Sequence, residues 1–152
     1  MSQNKALGFY DMQLANTVSE LRACNELSER FGLLLSDEQM HAVARKRMEA
    51  LQETGRIEFG NGIIKQLVYA FCDSPYITRE NYAETLESLI DSFYYFKNES
   101  EDMISDDELI QFMKNRFDTV CQGSLEYLEG TTLEELCRNT RRGYPAGGDE
   151  LF

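Results

Sequence analysis

The sequence has little of what metal, nucleophilic and membrane chemistry require. It holds one histidine, His41, together with two prolines and no tryptophan. A single histidine excludes a His-based metal cluster or a His–His dyad, and nothing in the sequence brings a cysteine beside it to form a nucleophile–base pair. The nucleophile elbow G-x-S-x-G, the phosphate-binding P-loop, G-x-G-x-x-G and H-E-x-x-H are all missing. The four cysteines, Cys24, Cys72, Cys121 and Cys137, are 48, 49 and 16 residues apart, so no pair has the C-x-x-C spacing of zinc or redox motifs. Each lies among apolar neighbours, where a free thiol behaves as a small buried hydrophobe, and scattered thiols suit a reducing compartment.

Long apolar runs are missing as well. The longest, residues 67–72, has six residues, against the 18 or so of a membrane span. The opening stretch has no apolar core behind a basic patch, so no secretion signal is expected. Positive charge is scarce: 15 Lys and Arg stand against 27 Asp and Glu, for a net charge of −12. That balance argues against binding nucleic acid or anionic membranes, where affinity comes from cationic side chains, and it favours a basic partner. What remains is a chain of 152 residues with 42% hydrophobic content, enough for one globular domain and too apolar for a disordered one.

Helix punctuation supplies the fold class. Ser36 with Gln39, Ser105 with Glu108 and Thr132 with Glu135 have capping-box spacing. Asp37, Glu38, Asp106, Asp107 and Glu134 fall in first turns, where the helix dipole favours negative charge. Gly32, Gly55, Gly130 and Gly143 follow periodic segments as C-terminal stops, and Gly123 should bend or break the segment it interrupts. Between these marks apolar residues recur at helical spacing. Leu14, Val18, Leu21, Leu27 and Phe31 form one face; Met40, Val43, Ala44, Met48 and Leu51 form a second. Segment 63–72 is apolar nearly all round, which suggests a central helix, and Thr78 caps a long helix carrying Leu86, Leu89, Ile90, Phe93 and Phe96. Two short stretches, 33–35 and 56–59, have the pattern of a minor two-stranded ribbon. The expectation is an all-α domain over residues 1–142, with six or seven short helices, followed by a Gly/Pro-rich tail over 143–152.

Two groups of residues are candidates for function. Arg47 falls inside the apolar stripe of the second helix, where a guanidinium must snorkel out or meet a carboxylate. Arg56, Glu58 and Asp73 come from nearby segments, so Arg47, Arg56, Glu58 and Asp73 are a candidate polar cluster for a ligand in an interhelical pocket, or a set of structural ion pairs. Tyr94 and Tyr95 point away from the Phe93/Leu86 stripe and Tyr127 lies off the Leu125/Leu128 pair, so these tyrosines are a candidate interaction surface, or cover for a second side of the domain. Segment 93–113 imitates an EF-hand, but Lys97 replaces the first ligating Asp and Asp102 the turn glycine, which opposes calcium.

The stretches ETGRIEFG (53–60), AFCDSPYI (70–77), FYYFKNES (93–100), DDEL (106–109) and CQGSLEYLEG (121–130) resemble a family of small acidic proteins of unknown function from anaerobic Gram-positive bacteria. The resemblance runs over roughly residues 10–142 and implies a stand-alone cytoplasmic protein, with no activity, cofactor or catalytic residue attached. From residues and resemblance together, the leading expectation is a non-enzymatic helical protein that binds a basic protein surface or a second copy of itself. The alternative is a small-ligand binder or enzyme built on the Arg/carboxylate cluster. No metal and no cofactor is expected.

Overall fold

A computed structural model describes residues 2–58 and 62–143, with side chains from residue 8 onward. Six helices account for most of them, with no strand among the described residues. Helix α1 (Ser2–Ser28) runs into a 3₁₀ turn, Glu29–Phe31, and stops where Gly32 takes φ +78°. Helix α2 (Asp37–Glu53) and α5 (Asp106–Asp118) each begin with a complete capping box, on Ser36/Gln39 and Ser105/Glu108. Each such cap is worth about 1 kcal/mol. Helix α3 (Gly62–Phe71) and α4 (Tyr82–Glu99) lie between them. Thr78 and Asn81 bond reciprocally across the turn that leads into α4, so Thr78 closes the approach and Asn81 begins the helix.

The last helix, α6, has three parts: a turn at Leu125–Tyr127, a π-helical stretch at Leu128–Leu133 and an α-helical end at Glu134–Arg141. Here the expected punctuation does not operate. Gly130 stops nothing and Thr132 caps nothing, because the helix passes through both. Leu128, Leu133, Leu136 and Cys137 are all buried, and the wider π turn lets both halves keep an apolar side on α5 and α4. Packing overrides local preference here.

Helix α4 is the centre of the domain. It packs on α2, α3, α5 and the end of α6, while α1 lies on α2 and α3. Its buried set, from Tyr82 through Leu86, Leu89, Ile90, Phe93, Tyr94 and Phe96, goes almost all the way round. Segment 63–72, expected to be central, packs on three helices but turns Lys65 and Tyr69 to solvent. Phe31, expected on the core face of α1, is 49% exposed because the 3₁₀ turn changes the register; Leu33 and Leu35 fill the core instead.

The expected ribbon is absent for a visible reason. The Asn25 side chain of α1 donates to the Leu35 carbonyl and accepts from the Leu35 N–H, both at 3.1 Å. One side chain thus satisfies the backbone pair a partner strand would have taken. Residues 56–58 form no strand, and residue 59 and tail residues 144–152 lie outside the described residues. Between α5 and α6, Gly123 takes φ +82° with its α-carbon against Tyr76; a β-carbon there would meet Tyr76 Cβ at 2.5 Å. None of the helices is long and apolar enough to cross a membrane, among the described residues.

Candidate functional site

The four members of the candidate polar cluster divide into separate pairs. Arg47, on the inner face of α2, is wholly buried at 0% exposure. Its Nη2 lies 3.5 Å from Glu58 Oε1, the oxygen that also accepts the Tyr94 hydroxyl at 2.6 Å. Glu20 of α1 feels the same guanidinium, although burial holds its carboxyl above the ordinary range; Glu20 Oε1 accepts the Lys65 N–H in the first turn of α3. Arg56 turns outward to Asp102, at 2.6 Å, and to Asn98 at 3.3 Å. Asp73 is elsewhere, bonded to Lys114 at 2.7 Å, and Lys114 also holds Asp118. Arg47 and Glu58 therefore meet, Arg56 flanks them through Asp102, and Asp73 belongs to the α3–α5 junction.

A cavity of about 310 Å³ does adjoin Arg56 and Glu58, walled by Phe9, Tyr10, Met48, Leu51 and Ile57. Its two charged groups are already bonded to Asp102, Asn98 and Tyr94, and Arg47 does not line it.

The calcium-like segment is organised around a cation of its own. Lys97 is buried; its ammonium donates to the Ile104 carbonyl and pairs with Asp106 at 2.9 Å. Glu101 and Asp102 adopt left-handed backbone, φ +57° and +60°, to complete the tight loop. No group of three or more His, Cys, Asp or Glu is placed to hold a metal ion among the described residues. All four cysteines are free and buried; burial pushes the thiols of Cys24 and Cys137 up to about 11, which keeps them protonated at neutral pH. His41 is exposed, with Nδ1 at 2.7 Å from the Asp37 carbonyl oxygen.

The tyrosines part company as well. Tyr94 leaves the candidate surface: it is fully buried, with its hydroxyl spent on Glu58, and burial raises its pKa well above the ordinary range. At position 94 the turn of α4 faces α2, so a residue that looked peripheral on one stripe is inside on another. Tyr95 and Tyr127 are exposed, by 51% and 46%.

Tyr95 stands in a groove of about 580 Å³ between the end of α2, one face of α4 and the π stretch of α6. Five carboxylates line it: Glu53, Asp91, Glu99, Glu129 and Glu134. Asp91, Tyr95 and Glu99 follow at intervals of four along α4, which sets them on one face. None of the lining residues is basic. Two arginines reach its margins with their hydrogen bonds already made, Arg56 on Asn98 and Arg141 on the Glu99 carbonyl at 2.6 Å. Glu53 and Glu99 are the last residues of α2 and α4, where the helix dipole disfavours negative charge. Burial raises the Glu129 carboxyl above its ordinary value; Ser92 opposes the rise and the charge of Asp91 adds to it. The groove thus gathers like charges at places where local physics resists them.

Sequence reasoning reached Tyr95 but not its acidic surroundings. The interval of four along α4 was readable, whereas the approach of Glu53 and of the π stretch depends on helix packing.

Fold and groove together define a small all-α domain with an acidic, aromatic-bearing concavity. The chain belongs to a family of unknown function, DUF6323, whose profile matches residues 20–146. No curated protein and no solved structure matches it.

Proposed function

We propose that the protein is a non-enzymatic binding protein that receives a basic segment of a partner protein in the groove between α2, α4 and α6. The observation that carries this reading is the convergence of five carboxylates and Tyr95 on a cavity whose lining contains no cation. Such a surface is costly to the free protein through self-repulsion and two unfavourable helix ends, and a cationic partner relieves both costs. The net charge of −12 would add long-range attraction for such a partner. A second copy of the chain is a weaker candidate, because two molecules of that charge repel. The free buried thiols suit a reducing cytoplasm, and the resemblance to proteins of anaerobic Gram-positive bacteria agrees with that compartment.

The ligand-pocket alternative is less well supported, since the groups it would use are bonded to one another rather than turned into the cavity.

Fluorescence anisotropy with a labelled octalysine peptide tests the reading. Charge reversal of Glu53 and Glu99 to Lys should weaken binding far more than reversal of Glu26 and Glu29, exposed residues outside the groove that change net charge equally. Equal losses from the two pairs, or no binding at low salt, would overturn it.

A further inference from the structure

Ser92 is an anomaly in α4. It is 3% exposed, and its Oγ has no hydrogen-bond partner. A serine inside a helix ordinarily turns its hydroxyl to the carbonyl one turn back, and a buried hydroxyl left without a partner costs about 1–3 kcal/mol. Ser92 nevertheless lines the acidic groove, as does Glu129 from the π stretch of α6. The hydroxyl is near enough to favour the ionised form of Glu129, yet outside hydrogen-bond geometry. Glu129 is itself half-buried, with Asp91 contributing a second negative charge from α4.

One hydroxyl and two carboxylates from two helices thus border one volume, and no cationic side chain is among the described residues that line it. Neighbouring features suit a cation there. Tyr95 follows Asp91 by one helical turn, and its ring is held edge-on to Phe96, with centroids 4.9 Å apart and planes at 86°. That leaves an aromatic side chain in a fixed attitude on the groove wall, where a cation gains from the ring face. Gly130, next to Glu129, has nothing within 4 Å of where a β-carbon would stand, so the approach on that side is open. The π stretch is what carries Glu129 and Gly130 to this wall, since its wider turn departs from regular helical positions.

We infer that Ser92, Glu129 and Asp91 form a subsite for the ammonium group of one lysine side chain of the bound partner, with Tyr95 beside it. The inference rests on the proposed reading of the groove and gives it a point of specificity. An ammonium presents three rotatable donors on a compact charge, which suits single acceptors spread over two helices better than the planar fork of a guanidinium. Glu53, Glu99 and Glu134 then serve attraction, while Ser92, Glu129 and Asp91 read one residue of the partner.

Isothermal titration of octalysine into the wild-type protein, Ser92→Ala and Glu129→Gln separates the two ideas, with Glu135→Gln, outside the groove lining, as control. Loss of a charge-assisted bond should weaken binding about tenfold for Glu129→Gln, with about threefold for Ser92→Ala, while Glu135→Gln changes little. Melting temperatures of both subsite variants should stay level or rise, because Ser92→Ala removes a buried hydroxyl and Glu129→Gln removes a half-buried charge. Octalysine acetylated on every side chain should not bind. If Ser92→Ala and Glu129→Gln bind like wild type while reversal of Glu53 and Glu99 still weakens binding, the subsite is wrong and the groove reading stands. If wild-type protein binds no octalysine, both fail.

Discussion

Tyr94 donates its hydroxyl to Glu58 Oε1 at 2.6 Å, and that oxygen is also the one 3.5 Å from the buried Arg47 guanidinium. One carboxylate oxygen therefore joins α2, α4 and the segment after α2. Because Arg47 is wholly buried and Glu58 keeps partial contact with solvent, the two partners are not equivalent.

Glu58→Ala leaves a cation inside the fold, whereas Arg47→Met leaves a carboxylate that still reaches water and Tyr94. Removing one partner of a buried pair costs about 3–5 kcal/mol, and Glu20 offsets part of that for Arg47. A loss of about 2–3 kcal/mol is expected for Glu58→Ala, with a smaller loss for Arg47→Met. Urea denaturation measures both; a larger loss for Arg47→Met would contradict the asymmetry.

Two glycines test backbone strain against crowding. Gly32 and Gly123 both have φ near +80°, but only Gly123 would press a β-carbon onto Tyr76. Gly32→Ala should cost about 1–2 kcal/mol from backbone conformation alone. Gly123→Ala should cost more, by the displacement of Tyr76 from Phe117, whose ring it meets edge-on at 6.3 Å. Equal melting temperatures for the two variants would refute the crowding.

Acid should reveal two carboxylates of opposite sign. The hydrogen bond from Arg56 holds Asp102 below its ordinary 3.8, so its stabilising contribution is present above that value and lost as pH falls through the lower folded pKa. Asp102 is largely exposed, so the effect is small and should fade with salt. Burial holds Glu129 above its ordinary 4.5, so its ionised form destabilises the fold at neutral pH, and protonation removes that penalty. Glu129→Gln should therefore be level with wild type below pH 4.5 and gain in relative stability as pH rises through the folded value. Melting curves across pH 4 to 8 check the sign.

Calcium offers a sharper contrast between pattern and chemistry. The loop after α4 is built on the Lys97 ammonium, which bonds Ile104 and Asp106. Millimolar calcium should leave the melting temperature unchanged; a rise would require a cation site the loop does not provide.

Helix starts were legible in the sequence wherever a cap and a periodic segment coincided, as at Ser36 and Ser105. The punctuation misled at Thr132, expected to start a helix, and at Gly130, expected to end one, where buried leucines on both sides carry the helix through. Arg47 was readable as a charge inside an apolar stripe, and Glu58 as a carboxylate in a neighbouring segment. Asp73 was not separable from them, because its partner Lys114 is 41 residues away and only the α3–α5 packing brings them together. Tyr94 and Tyr95 were alike on paper. Their fates differ because α4 is covered on nearly every side, a property of neighbours rather than of its own residues.

The most direct test of the acidic groove is a nitrogen–proton correlation NMR titration with octalysine at moderate salt. Saturable shifts concentrated at Glu53, Asp91, Tyr95, Glu99, Glu129 and Gly130 are expected. Shifts spread evenly over the acidic surface, or centred on the cavity beside Glu58 and Ile57, would contradict it.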